Sequence, residues 1–63
     1  MQHGIIIRTF QDAQRAADEI GGVVVGMSGV NFVVQRHGGE LLNTPDVFEV
    51  LAFLRGWQAA KNA

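Results

Sequence analysis

The segment from Gly22 to Arg36, GVVVGMSGVNFVVQR, limits the fold more than any other part of the chain. Two runs of β-branched and aromatic residues flank Ser28-Gly29, a pair suited to a two-residue hairpin turn. Pairing outward from that turn sets Met27 opposite Val30, Val25 opposite Phe32 and Val23 opposite Val34, which makes one face wholly apolar. The other face carries Gly26 opposite Asn31, Val24 opposite Val33 and Gly22 opposite Gln35. A sheet of this kind keeps one face in a core and turns the other to solvent or to a partner.

The flanking segments supply the cover. Gly4 to Arg8 contains Ile5-Ile6-Ile7 and suits a short strand. It runs into Thr9-Phe10-Gln11-Asp12, where Thr9 can cap a helix and Asp12 can return the bond three residues later. A helix is expected from Phe10 to Ile20, with Phe10, Ala13, Ala16, Ala17 and Ile20 inside an arc of roughly 120° and Gln11, Asp12, Arg15, Asp18 and Glu19 facing away. Gly21-Gly22 then stops it. After the hairpin, Arg36 to Glu40 reads as a turn. Leu41-Leu42 adds a short fourth strand if a three-residue loop pairs Arg36 with Glu40 and Val34 with Leu42. Thr44-Pro45-Asp46 opens a second helix, with Thr44 as cap and Pro45 at the first helical position, and this helix is expected to reach Ala60. Val47, Val50, Leu51, Phe53, Leu54 and Trp57 cover about 160° of it, a face broad enough for deep burial.

The order strand, helix, strand, strand, helix predicts a small two-layer α+β domain. Its sheet has three mainly antiparallel strands, or four with the short one, and both helices lie on the apolar face. A right-handed crossover through the first helix would place the 30–36 strand centrally, between 4–8 and 22–27, and the alternative is a simple arrangement of sequence neighbours. Nothing in residues 1–63 marks a linker or repeat, so a single domain is expected.

A chain of 63 residues buries only about 60% of the surface its unfolded form exposes. It has no cysteine, which removes disulfide staples and thiolate metal sites as remedies. Hydrophobic residues are 48% of the chain and charged residues 17%, a surplus that self-association or a protein partner would absorb. The formal charge of −1 gives no net pull toward phosphates or anionic lipid. The apolar stretch from Val23 to Val34 is too short and too broken to span a bilayer as a helix. The N-terminal residues lack the basic start and long apolar run of a signal peptide. A cytoplasmic location is expected.

Four groups of residues invite a functional reading. Ile6, Val24 and Val33 would share the sheet face away from the helices and offer it to a twin copy or a partner. Ala52, Gly56 and Ala60 recur every four residues on the outer side of the second helix, where small side chains permit close approach, and Phe48 lies near them. His37 and Glu40, with His3, fall short of a metal or acid–base site, because a structural zinc needs four ligands and a catalytic one three. No cofactor, metal or small-molecule substrate is expected. Neither Gly21-Gly22 nor Gly38-Gly39 belongs to a phosphate loop. Arg8, Asn31, Gln35 and Arg36 could touch a nucleic-acid backbone, yet no tyrosine is present, and the phenylalanines and Trp57 fall mostly on core stripes, leaving no platform for stacking bases. No serine, threonine or carboxylate pair can be set beside a base without assuming a fold in advance.

The reading that follows is a non-catalytic protein-binding module, homodimeric, acting through its open sheet face or the outer side of its second helix. An adaptor or inhibitor of phage or mobile-element type would suit so small a layout. A DNA- or RNA-binding module is the alternative, and steep salt dependence of binding would distinguish it.

Overall fold

The structure, a computed structural model, describes residues 2–62. Its elements in chain order are helix α1 (Gln2–Ile20), strands β1 (Val23–Ser28), β2 (Asn31–Arg36) and β3 (Gly39–Thr44), and helix α2 (Val47–Asn62). The strands form one antiparallel sheet in the order β1-β2-β3. α1 packs on β1, α2 packs on β2 and β3, and the helices pack on each other. The α+β class, the three-stranded antiparallel sheet and the two helices on one face are as the sequence implies.

The beginning of the chain differs. Gly4 to Arg8 is the start of α1, not a strand. Thr9 caps nothing: its hydroxyl donates to the Ile5 carbonyl at 2.7 Å, a bond within one continuous helix. No turn residue separates Arg8 from Thr9, so a strand there would have to become a helix with no loop between them. Continuing the helix costs only a few tenths of a kcal/mol per isoleucine in propensity. The crossover topology falls with that strand. β2 is central, but its neighbours are β1 and β3, each joined to it by a short hairpin.

The first hairpin turns one residue later than the sequence suggests. Ser28 pairs with Asn31, Met27 with Phe32, Val25 with Val34 and Val23 with Arg36, which leaves Gly29-Val30 as the two loop residues. Gly29 takes φ +63° and Val30 stays at negative φ, the pattern that permits glycine first and almost any residue second. Relative to the expected alignment the strands have slipped by two residues. A slip of two preserves which side chains share a face, so Val23, Val25, Phe32 and Val34 remain inside. Met27 and Val30, expected opposite each other on that face, both move out, to the exposed end of the sheet.

The weakly signalled strand is a full one. β3 turns back at His37-Gly38, both at positive φ, and pairs Arg36 with Gly39 through a two-residue loop instead of three. A bulge then restores the expected pairing of Val34 with Leu42: Gln35 faces Glu40 and Leu41 is the additional residue. α2 also starts later than expected, with Asp46 as its cap. The Asp46 carboxylate accepts from the Phe48 amide at 2.9 Å, its carbonyl accepts from Glu49 and Val50, and Pro45 lies outside the helix. Thr44, which was to be the cap, is buried and accepts from the Asp46 amide at 3.1 Å, holding the entry turn.

One core joins the layers. Ala13, Ala16, Ala17 and Ile20 of α1 meet Val23, Val25, Phe32 and Val34 of the sheet and Val47, Val50 and Leu54 of α2. The alanine seam lets α1 lie close along β1, and Val23 and Val25 are buried although β1 is an edge strand. Asp12 and Arg15 face Leu51 and Arg55 across a groove, Gln58 donates to Glu19 at 2.6 Å, and Lys61 donates to the Ile20 carbonyl at 2.6 Å. The two helices therefore run side by side in the same direction, both starting at the end where the β1–β2 turn lies.

Candidate interaction surface

That shared end is where apolar side chains are left uncovered. A helix from Gln2 to Ile20 is about 28 Å long at 1.5 Å per residue, and a six-residue strand spans about 20 Å. α1 ends level with the start of β1, so about its first turn and a half extends past the sheet. Ile6 continues the Ala13, Ala17 and Ile20 stripe to the end of the sheet, beside Val30 and Phe32. Ile5 and Ile7 point 100° to either side. All three are exposed, as are Met27, Val30 (84%) and Phe48.

Between the projecting helix and the start of α2 runs a shallow apolar groove. Phe32 and Val47, both buried, form its floor, with Ile6, Val30, Pro45 and Phe48 around it and Asp46 at the rim. Phe10 packs against Phe32 beneath it, the rings tilted by 46° with centroids 5.6 Å apart, and fixes the floor from the core side. The cap at Asp46 sets where Phe48 points. The Gly29-Val30 turn sets Val30, whose side chain is left largely uncovered by the described residues.

The sequence-derived site residues do not gather in one place. Ile6 is on α1 and not on the sheet, because Gly4–Arg8 is helical. Val24 is 62% exposed on the open sheet face, while Val33, on the same face, is only 7% exposed. Around Val33 the face is polar: Asn31 donates to Asn43 at 2.7 Å, and Asn43 donates to Glu40 at 3.3 Å. A fully apolar docking face is not present there. Ala52, Gly56 and Ala60 are exposed on the outer side of α2, with open space above Gly56. Phe48 belongs to the groove end.

Arg8, Asn31, Gln35 and Arg36 are also dispersed. Asn31 and Gln35 share the open face, Arg8 is on α1, and Arg36 reaches to the helix side, where its guanidinium lies 5.1 Å from the centre of the Trp57 ring. Among the described residues no three His, Asp or Glu side chains form a group able to hold a metal. The side chain of His3 lies outside the described residues. No helix among them is long and apolar enough to cross a membrane.

Ile5, Ile7, Met27 and Val30 were not singled out by sequence reasoning. The available signal was Ile5-Ile6-Ile7 itself: on a helix three consecutive side chains span 200°, so they cannot all enter one core. No family model matches the chain, and comparison with curated proteins and with solved structures found no match.

Proposed function

We propose that the chain is a non-catalytic protein-binding module, an adaptor or inhibitor in the manner of small phage and mobile-element proteins, that works by laying an apolar surface on a protein partner. The observation that carries this reading is the concentration of Ile5, Ile6, Ile7, Met27, Val30 and Phe48 at one end of the molecule, next to a groove with an aromatic floor. Scattered exposed hydrophobics are ordinary on any surface, whereas Ile6, Val30 and Phe48 lining one groove form a patch of the kind that marks contact with another macromolecule. Its apolar character suits a protein better than a phosphate backbone, and of the four polar candidates for nucleic-acid contact only Asn31 and Gln35 share a face. A cytoplasmic place of work suits a chain without cysteine.

A photo-reactive phenylalanine analogue at position 48, with the same analogue at Asp18 as a control, tests the reading in living cells. Protein adducts from position 48 and none from position 18 are expected. Adducts to nucleic acid, or none from position 48, would overturn it.

A further inference from the structure

We infer that the exposed apolar end pairs with the same end of a second copy of this chain, the first two turns of α1 from each copy lying in the groove of the other. The inference rests on the reading of that end as a binding surface and names its occupant. A projecting apolar helix and an apolar groove occur side by side on one end of one molecule. A two-fold axis through that end brings each projection to the other copy's groove, an isologous contact in which both are filled at once.

Area agrees with this arrangement. Six side chains, 40% to 84% exposed, leave on the order of 500 Å² of apolar surface. A standard interface buries about 800 Å² per partner, somewhat more than half of it non-polar. The patch thus matches the apolar part of one side of a stable dimer.

The helix itself calls for such cover. The first turns of α1, rich in β-branched residues, are not stable alone in water, and here about a turn and a half extends beyond the sheet that supports the rest of the helix. Charge points the same way: Arg8 stands exposed on the projecting turns and Asp46 at the rim of the groove, so projection and groove carry opposite signs in both copies.

Sedimentation velocity on wild type and three variants tests the pairing, with circular dichroism to confirm that each variant is folded. Wild type at high micromolar concentration is expected to sediment at twice the 6.8 kDa chain mass. Ile5→Glu and Phe48→Glu, which place unpaired charges in the contact, should weaken the dimer about tenfold or more. Val24→Glu on the open sheet face should leave it unchanged.

The chain has no cysteine, so a cross-link serves as a second readout. An equal mixture of Ile5→Cys and Phe48→Cys chains should give a disulfide-linked mixed dimer on mild oxidation. A wild type that stays monomeric up to millimolar concentration overturns the inference, and so does a dimer dissociated by Val24→Glu and indifferent to Ile5→Glu. A monomer whose position 48 still captures another protein removes the second copy as occupant and leaves the protein-binding reading standing.

Discussion

Gly29 stands at the first position of the β1–β2 turn with φ +63°, where a side chain would crowd the following carbonyl. Gly29→Val should cost about 1–2 kcal/mol, read as a lower urea midpoint with an unchanged slope. The second hairpin offers the opposite experiment. His37 occupies positive φ in the first loop position before Gly38, where asparagine is the residue that two-residue turns favour. His37→Asn should therefore raise the midpoint slightly, by a few tenths of a kcal/mol. In the core, Leu54 is fully buried between the layers. Leu54→Ala should cost about 2–5 kcal/mol. A domain of this size has only about 3–9 kcal/mol to lose, so much of that variant should be unfolded by circular dichroism at 25 °C.

At the scale of elements, the helices are held at their ends by partners distant in sequence. Lys61, in the last turn of α2, donates to the Ile20 carbonyl at the end of α1, where the helix dipole favours a cation. Lys61→Met should lower the melting temperature by the equivalent of about 0.3–1 kcal/mol. Asp46→Ala, which removes the α2 cap, should cost about 1 kcal/mol.

The elements legible in the sequence were those whose pattern repeats. Val23, Val25 and Val34 of the hairpin, the alanine stripe of α1 and Val47, Val50 and Leu54 of α2 entered the core as their spacing requires, whereas Val30 and Phe53, expected on the same faces, stayed exposed. Gly4–Arg8 was misread because isoleucine runs suit strands, while continuity with the following helix, a tertiary matter, decided the outcome. The turn was displaced by one residue because both Ser28-Gly29 and Gly29-Val30 can hold a glycine at positive φ. β3 was faint because its pairing needs a bulge at Leu41 that no local pattern announces. The apolar end was hidden for the first of these reasons: it exists only once Ile5, Ile6 and Ile7 are placed on a helix longer than the sheet.

On the scale of the whole molecule, a single small core supports two helices that start together, and that shared start leaves an apolar end uncovered. If that end is where copies meet, dilution should weaken the fold as well as the dimer, because binding that favours the native state adds to its stability. The melting temperature should rise with protein concentration in wild type and lose that dependence in Phe48→Glu. Hydrogen exchange at low and high protein concentration, resolved along the chain, probes the surface most directly. Amides from Ile6 to Arg8, at Val30, and at Phe48 should gain protection at high concentration, while those around Val24 on the open sheet face should not change. Equal exchange at both concentrations throughout, or new protection confined to the neighbourhood of Val24, would contradict the account.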